Sequence, residues 1–269
     1  MVRLQIRESF AEAWSDISLG LKNHHVITVL GMQDILTRYR RSKVGAFWLT
    51  IGIATTIATL YIVFGTLFKQ NISEFLPYLA IGVILWNFIS SAILDGCNSF
   101  IVSSDTILQV KMPLFVHVMR VLWSNTIILA HNVVILPLVF LFLLKPLSFV
   151  ALLAIPGMLI VMLNLSWIML MLSVICARYR DFSMIVQNVT QVLYFFTPIM
   201  WSETLMPERA GILLRINPFY HLVSIVRAPL LGKLPSMLNW EYSLVVLVLG
   251  WILATYLFGR FYSKIAYWL

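Results

Sequence analysis

The chain has 269 residues, of which 61% are hydrophobic and 11% are charged, with a formal net charge of +8 and a mean hydropathy of +0.92. A soluble domain has about 25% charged residues. A chain with only 11% charged residues cannot supply the polar part of a water-exposed surface. Intrinsic disorder is excluded as well, because it requires low hydrophobicity. Two cysteines, Cys97 and Cys176, are too few for a disulfide framework or a cysteine-rich metal site. The composition therefore predicts a membrane protein with several spans.

Residues 1–43 carry scattered charges and predict a cytoplasmic interface segment. Within this segment, residues 3–21 have the periodicity of an amphipathic helix, with Asp16 on the polar side. The apolar side carries Ile6, Phe10, Trp14, Ile17 and Leu21. Such a helix is too polar to span, so it would lie along the inner membrane surface or against the inner ends of the protein itself. No uninterrupted apolar stretch indicates a cleavable signal peptide here.

Six apolar stretches in residues 44–269 are each long enough to cross a bilayer, which takes about 20 residues. The predicted spans are 44–68, 75–94, 114–144, 149–176, 182–201 and 241–258. They are continuously apolar, which favours helices over the alternating strands of a barrel. Pro137 and Pro156 are expected to bend the third and fourth spans. Basic residues directly before the first span place both termini in the cytoplasm. The predicted fold is therefore an all-α polytopic membrane protein with six transmembrane helices.

Two connections between these spans are longer than simple turns. The segment 96–113 contains a short predicted helix, which Ser103, Ser104 or Asp105 could cap and which could dock on a partner or only connect two spans. The segment 202–240 contains apolar pieces at about 207–216 and 218–231 that are too short to cross. These pieces predict two short re-entrant or interfacial helices on the outer face. Asn217 and Pro218 form a favourable start for the second helix.

Catalytic motifs are absent from the sequence. There is no phosphate-binding loop, no G-x-S-x-G elbow and no H-E-x-x-H pair, and the histidines lack the spacing of metal ligands. His131 is the one ionisable candidate for proton coupling inside a span, with a hydrogen-bonded helix contact as the alternative. The basic residues lie beside apolar runs, which does not indicate a nucleic-acid partner. The sequence predicts a chain that is not an enzyme and that binds no metal or cofactor itself.

Two of the predicted spans carry stripes of polar and aromatic residues at helical spacing. The fifth span has Gln187, Gln191, Tyr194, Pro198 and Trp201, with Asn188 and Phe195 alongside. The first span has Gly45, Trp48, Gly52, Thr55, Thr59 and Thr66, with Thr56 alongside. Polar groups that face lipid are disfavoured, so both stripes should point inward. They would line a transport path or hold helices together, and the spacing allows either.

Four segments of the chain, in the right order, resemble the type-2 ABC exporter permeases, and among them those that move polysaccharides. These are LTRYRRSKVGAFW at residues 36–48, VKMPLF at 110–115, RYRDF at 178–182 with FFTPI at 195–199, and NPFYHL at 217–222 with RAPLLG at 227–232. They resemble, in turn, the entry to the first span, the entry to the third, the fifth span and the outer segment. One departure is that family members often have a proline in the first span, where this chain has Ile53.

The resemblance implies a homodimer of six-helix subunits that works with two separate ATPase subunits, which bind ATP and magnesium. It implies a bacterial inner-membrane location and a substrate carried on an undecaprenyl-diphosphate-type lipid. O-antigen is the leading candidate, ahead of capsule and teichoic acid. The competing hypotheses are a permease of the same fold for drugs or small lipids, a membrane-embedded transferase and a structural scaffold. The missing acid–base cluster argues against the transferase.

The resemblance also suggests four groups of functional residues. Arg38, Arg40, Arg41 and Lys43 would attract the lipid diphosphate, unless they act only as a topology signal. Ser104, Asp105, Ile107, Leu108, Lys111, Arg178, Arg180 and Asp181 would couple to the ATPase, with Asp181 capping the fifth span. The transport path would be lined by Trp48, Thr55, Thr59, Tyr61, Gln187, Gln191, Tyr194, Phe195 and Trp201. The outer gate would contain Arg215, Asn217, Pro218, His221 and Arg227.

Overall fold

A computed structural model describes residues 2–40, 45, 47–67, 69, 71–201, 203 and 211–269, with side chains from residue 10 onward. Every regular element in these ranges is helical, which confirms the all-α class. The α-helices are α1 (Val2–Lys22), α2 (His24–Tyr39), α3 (Phe47–Leu60), α4 (Ile72–Cys97), α5 (Ser99–Val102), α6 (Ser104–Gln109), α7 (Leu114–Val133), α8 (Ile135–Phe142), α9 (Ala154–Arg178), α10 (Phe182–Phe196), α11 (Gly211–Ile216), α12 (Pro218–Leu230) and α13 (Met237–Trp268). A π-helical turn follows α3 at Tyr61–Gly65, and a 3-10 turn precedes α9 at Phe149–Leu153.

Five helical units of the described chain are long and apolar enough to cross a membrane. They are Phe47–Gly65, Ile72–Cys97, Leu114–Phe142, Phe149–Arg178 and Met237–Trp268, and they correspond to five of the six predicted spans. Both expected bends coincide with irregular helix. The break between α7 and α8 comes just before Pro137, and the change from 3-10 to α geometry comes just before Pro156. A proline lacks the N–H that would bond the carbonyl four residues earlier, which explains both positions.

The stretch predicted as the fifth span, residues 182–201, differs from a regular spanning helix. Helix α10 ends after 15 residues, which is roughly 22 Å at 1.5 Å per residue and short of the ~30 Å hydrocarbon core. Thr197 is extended, with φ −98 and ψ 131, because Pro198 disfavours helical geometry in the residue before it. The backbone at 197–200 is buried, as irregular backbone at membrane depth must be.

Helix α4 is the centre of the bundle and packs against α3, α7, α8, α9, α10 and α12. In its most apolar stretch, 72% of the residues are buried, against 6% for the span Phe47–Gly65. Helix α9 packs against both α4 and α13. The contact with α13 is close because Gly250 lies against Trp167, where a Cβ atom would come within 2.1 Å of the indole ring. Small residues of this kind let membrane helices approach closely. The helices that carry the polar stripes, α3 and α10, lie at the edge of this bundle.

The first span contains no bend at Ile53, the position where the resembling permeases often have proline. Helix α3 runs through Ile53 without interruption, and the irregularity comes later, in the π-helical turn Tyr61–Gly65. Thr66 donates its hydroxyl to the carbonyl of Val63 at 3.0 Å, within this turn. Widened turns of this type are a recognised source of helix distortion.

The N-terminal region forms two helices, α1 and α2, packed on the rest of the bundle. Helix α1 contacts α7 and α13, so it packs against the protein itself, while its predicted position along the membrane surface stays a prediction. Phe10, Trp14 and Leu21 of its apolar side remain exposed. Helix α2 packs on α7 through the buried residues Ile27 and Ile35 and was absent from the sequence-based assignment. We call this end of the bundle, with α1, α2, α5 and α6, the proximal end, and the end with α11 and α12 the distal end.

The prediction for Asp16 is wrong. Helical periodicity put this residue on the polar, solvent-facing side of α1, whereas in the structure only 4% of it is exposed. Its carboxylate accepts hydrogen bonds from the backbone N–H groups of Leu114 and Phe115, both at 2.9 Å, and from the Tyr262 hydroxyl at 2.9 Å. Burial raises the pKa of Asp16, and these hydrogen bonds oppose that rise. The N-terminus of a helix attracts an anion, so Asp16 of α1 acts as the cap that Pro113 cannot provide to α7.

We expect Asp16→Ala to lower the free energy of unfolding by about 3 kcal/mol, because buried N–H groups of α7 lose their acceptor. Thermal unfolding of the purified protein in detergent measures the change. The matched control is Glu12→Ala, which changes an exposed residue of the same helix and should alter stability by no more than about 0.5 kcal/mol. Equal losses in the two variants would contradict the capping role.

Candidate functional site

Helix α10 presents most of its surface to the outside of the single chain. Only Val186 and Thr190 of its residues are buried. Gln187, Asn188 and Gln191 are exposed, and among the described residues their side-chain amides have no hydrogen-bond partner. Thr190 differs, because its hydroxyl donates to the carbonyl of Val186 at 2.7 Å. The predicted polar stripe of the fifth span is therefore a real surface with unsatisfied amide groups.

The aromatic residues of α10 connect this surface to the centre of the bundle. Tyr194 is half-buried, and its ring centroid lies 5.8 Å from that of Trp86 in α4. Phe195 is exposed and contacts Tyr194 edge to face at 5.5 Å. The indole N–H of Trp201 donates to the carbonyl of Phe195 at 3.3 Å. Three of the five aromatic residues predicted to line the path, Tyr194, Phe195 and Trp201, are thus brought together at the distal end of α10, while Trp48 and Tyr61 lie elsewhere.

The polar stripe of the first span differs from that of α10 in how its hydroxyls are satisfied. Thr55 and Thr56 are exposed, but each donates its hydroxyl to the carbonyl four residues earlier, at 2.9 Å. Such bonds let threonine face an apolar environment at little cost. Thr59 and Trp48 are exposed, and Tyr61 is half-buried near Phe75 of α4, with ring centroids 6.4 Å apart. Thr55 and Thr56 of the α3 stripe are therefore exposed but do not require water.

Helix α4 supplies polar residues that the sequence reasoning missed. Asn87, Ser90 and Ser91 are half-exposed within an otherwise buried span. Their spacing of three and four residues places them on one face of the helix, and the Ser90 hydroxyl donates to the Asn87 carbonyl at 3.2 Å. Both α3 and α10 pack on α4. Polar residues at positions i, i+3 and i+4 of an apolar span were the available sequence signal. We call the exposed polar residues of α3, α4 and α10 the polar face.

At the proximal end, Arg38, one of the four residues predicted to attract a lipid diphosphate, is part of a charge network. Arg38 of α2 is half-exposed and lies 3.9 Å from Asp95 at the end of α4, and Asn125 of α7 donates to the same carboxylate at 3.0 Å. One helical turn earlier, Asp34 lies 3.3 Å from the mostly buried Arg120. Burial raises the pKa of Asp34, and the charge of Arg120 opposes that rise. These pairs supply the partners that charges near a membrane require.

The remaining members of that basic cluster are less constrained by the described structure. Arg40 is exposed at the end of α2. Arg41 and Lys43 lie outside the described residues. The charge of Arg38 is partly neutralised by Asp95. Of the two described arginines, Arg40 therefore has the charge that is more available to an anionic ligand.

The predicted coupling segment forms the short helix α6, with exposed apolar residues as expected. Leu108 is 58% exposed, and Ile107 is half-buried against the core. Ser104 is half-exposed, while Asp105 and Lys111 are exposed. The expected cap of this helix is not formed, because Ser103 precedes it without a side-chain cap and donates to the carbonyl of Ser99 instead. The segment runs directly into α7, whose start is held by Asp16.

Asp181 stands at the start of α10 without capping it. The residue occupies the N-cap position, but its carboxylate accepts no hydrogen bond from the helix and it is exposed. Its backbone is in the helical region, with φ −70 and ψ −15, whereas a capping side chain requires non-helical geometry. Arg178 lies over the rings of Tyr179 and Trp268, at 5.0 and 5.4 Å, while Arg180 is exposed. The exposed charges of Arg180 and Asp181 remain available at the proximal end.

The distal end contains the two short helices α11 and α12, which confirms short, non-spanning helices at the described part of this segment. Asn217 caps α12 as expected, since its side chain accepts from the Phe219 N–H at 3.0 Å and Pro218 follows in the first helical position. The Asn217 amide also donates to the Thr197 hydroxyl at 3.0 Å. One side chain thus joins the end of α10 to the start of α12.

His221 is fully buried in α12 and holds together three parts of the distal end. Its Nδ1 lies 2.8 Å from the side-chain oxygen of Asn239, and its Nε2 lies 2.9 Å from the carbonyl oxygen of Arg215. The ring stacks on Tyr242 of α13 with a centroid distance of 4.1 Å. The side chain of Arg215 is exposed. His221 therefore has a structural role in this end, while Arg215 contributes its backbone.

Arg227 is a buried cation with an exposed fraction of 3%. Its guanidinium donates to the carbonyl of Pro198, lies 3.4 Å from a carboxylate oxygen of Glu203 and sits 3.9 Å from the centre of the Tyr78 ring. The hydroxyl of Tyr78 donates to the same Pro198 carbonyl at 2.9 Å. A cation buried at this depth needs such partners, and they fix the irregular backbone after α10 to α4 and α12.

We expect Arg227→Gln to lower the free energy of unfolding by about 2 kcal/mol, because it removes a charge-assisted hydrogen bond and a desolvated cation–π contact. Arg215→Gln is the matched control, since it makes the same change at an exposed side chain of α11, three residues before the start of α12. Thermal unfolding in detergent compares the variants. The central role of Arg227 is refuted if the two midpoints move equally.

Comparison of the sequence with known proteins identifies its family. The sequence profile of the ABC-2 type transporter matches residues 25–231. An O-antigen export system permease protein RfbA of Klebsiella pneumoniae is 23% identical over 233 residues, covering 85% of this chain and 87% of the relative. The protein of the same name in Myxococcus xanthus is 24% identical over 208 residues, covering 74% and 77%. The profile spans most of the chain, from α2 to the end of α12. This chain therefore belongs to the ABC-2 transporter membrane family.

Proposed function

We propose that this chain is the transmembrane permease subunit of an ATP-driven exporter of lipid-linked polysaccharide, with O-antigen as the leading substrate. It acts as a homodimer in the bacterial inner membrane. Two separate ATPase subunits bind ATP and magnesium, and this chain carries out no chemistry. Family membership and the names of the O-antigen export relatives support the proposal.

The observation that carries the proposal is the exposed, unpartnered amide row of Gln187, Asn188 and Gln191 on α10. Moving one amide from water to an apolar environment without a hydrogen bond costs about 1–3 kcal/mol by protein mutational data. Three such groups facing lipid would cost an amount comparable with the whole net stability of a domain, about 5–15 kcal/mol. This face of α10 therefore borders water, a polar substrate or a second copy of the chain.

A homodimer accounts for these exposed groups more fully than a monomer. Facing copies would enclose their polar faces between them, with Thr55 and Thr56 of α3 tolerating either lipid or protein because their hydroxyls are already bonded. Aromatic rings such as Tyr194 and Phe195 suit a sugar chain, since sugars stack their CH surfaces on flat rings. In this arrangement α10 and the buried backbone after it complete a sixth crossing, and α11 and α12 form the re-entrant outer gate.

The orientation proposed for the bundle puts the proximal end in the cytoplasm. The basic residues before α3, including Arg38 and Arg40, favour the inner side. Both termini then lie inside, and Lys145 and Lys233 lie at the outer end. Arg40, with the basic residues next to it in sequence, would attract a diphosphate headgroup to the inner entrance.

We expect the double substitution Gln187→Leu with Gln191→Leu to reduce polysaccharide export by on the order of tenfold, equivalent to about 1.4 kcal/mol on the transport barrier. The change removes hydrogen-bonding groups from the path and leaves apolar packing intact. Surface display of the polysaccharide measures export, and gel filtration measures assembly. The control pair is Met184→Leu with Val192→Leu, which changes exposed apolar residues of the same helix. Export at the wild-type rate would remove α10 from the path.

We expect Leu108→Glu to abolish co-purification of the ATPase subunit from native membranes, because a carboxylate on α6 replaces the most exposed apolar residue of that helix. Leu147→Glu makes the same change at an equally exposed leucine, also 58%, at the opposite end of the bundle. That control should retain the ATPase. Retention by both variants would exclude α6 from the interface.

The complex of the wild-type chain with its ATPase subunit can be used to identify the substrate. Lipid-linked glycan should stimulate ATP hydrolysis by the assembled complex, while hydrophobic drugs should not. Stimulation by drugs alone would replace the polysaccharide with a small-molecule substrate and leave the permease fold unaffected.

A further inference from the structure

A polar pocket of about 520 Å³ lies at the distal end, between the first turns of α4, helix α12 and the loop that leads into α13. It is about as large as pockets that bind small molecules. None of the groups predicted for the transport path or the coupling segment lines it, and of the predicted gate residues only Arg227 does. The pocket therefore needs an explanation of its own.

The charged groups on one wall of the pocket, Glu203 and Arg227, already have partners within the protein. Glu203 accepts from Tyr220 at 2.8 Å through one carboxylate oxygen and lies 3.4 Å from the guanidinium of Arg227 through the other. The opposite charges of Arg227 and Glu203 cancel in this arrangement. Neither residue leaves a free charge for a ligand, so recognition must come from the other walls.

The other walls carry positive charge and free hydrogen-bond donors. Lys145 and Lys233 both line the pocket, and neither forms an ion pair with any residue that the structure describes. The hydroxyl of Ser224 is buried beside Tyr220 and makes no hydrogen bond of acceptable geometry with the described residues. The start of α13 also opens here, at Ser236, whose side chain does not cap the helix. Against these groups stands one further carboxylate, Glu74. This balance suits an anion with several oxygen atoms.

An apolar groove of about 480 Å³ runs along an adjacent side of α12. Val226 and Leu230 face the groove, while their neighbours Arg227 and Leu231 face the polar pocket. The rest of the groove is lined by apolar residues of α4, α7, α8, α9 and the 3-10 turn before α9. A molecule with an anionic head and an apolar chain could therefore occupy both sides of the last turns of α12.

We infer that the distal pocket binds the phosphoryl headgroup of an anionic membrane phospholipid, whose acyl chain lies along the apolar groove. Lys145 and Lys233 attract the phosphate, the Ser224 hydroxyl donates to it, and the free N–H groups at the start of α13 face it. The lipid fills the space between α4, α12 and α13 and braces the distal end from the membrane side. This role is separate from transport along the polar face.

Lipid binding to the delipidated protein in detergent, followed by native mass spectrometry, tests the inference. We expect wild-type protein to bind phosphatidylglycerol on the order of tenfold more tightly than phosphatidylcholine, since lysines near the headgroup favour a lipid with net negative charge. The double variant Lys145→Gln with Lys233→Gln should lose this preference. The control Lys22→Gln with Lys264→Gln, two exposed lysines of the proximal end, should keep it. A wild-type protein without the preference, or a double variant that retains it, overturns the inference.

Ser224→Ala tests whether the headgroup enters the pocket rather than its rim. We expect several-fold weaker phosphatidylglycerol binding at an unchanged unfolding temperature, and unchanged binding would overturn the placement. Two competitors distinguish the source of the phosphate. If millimolar inorganic phosphate displaces the lipid, the site binds free phosphate. If a polyprenyl phosphate displaces the lipid and remains bound in its place, the site belongs to the exported lipid. Either result overturns the phospholipid assignment. All these measurements read binding alone, so their failure leaves the proposed transport function standing.

Discussion

The cost of leaving a polar group without a partner in hydrocarbon governs how this chain folds. Buried Asp16 accepts three hydrogen bonds, buried Arg227 has a carbonyl, a carboxylate and an aromatic ring, and buried His221 uses both ring nitrogens. Each of these groups ties separate helices together, because the partners come from different parts of the chain. The exposed amides of α10 stand apart from this pattern. A chain that gives these three buried groups several partners each, yet leaves the amide row of α10 open, is built to place that row against something polar.

The two ends of the bundle use this constraint for different purposes. At the proximal end, Asp16 joins α1 to the start of α7, directly after helix α6 of the proposed coupling segment, and Tyr262 brings α13 into the same junction. A displacement of α6 would therefore pass into α7 and α13 through hydrogen bonds and not through a loose linker. Arg38 and Asp95 extend the same end to α4. These contacts join α1, α4, α7 and α13 at the proximal end, which is what the proposed coupling to a separate ATPase subunit requires.

Sequence periodicity predicted the parts of the fold that depend on burial in general, and it failed where a specific partner decides the outcome. Continuous apolar runs were enough for five spans, and the Asn217–Pro218 pair was enough for the start of α12. Asp16 was placed on the wrong side because its partners, the first N–H groups of α7, lie about a hundred residues away. Helix α10 ended early because buried carbonyl-binding side chains, Tyr78 and Arg227, stabilise irregular backbone after Pro198. The α4 residues Asn87, Ser90 and Ser91 were overlooked because helix-packing serines look the same in sequence.

The link between α10 and α12 connects the polar face to the distal end. Asn217 caps α12 with one side-chain atom and bonds Thr197, at the end of α10, with another. Arg227, three turns further along α12, bonds the carbonyl of the next residue, Pro198. These two contacts, at different positions along α12, fix the helix to the residues that follow α10. Helix α12 therefore cannot tilt away unless it carries residues 197–198 with it or breaks a buried polar contact. Because breaking that contact is costly, the distal segment and the end of α10 would move as one unit in the proposed transport.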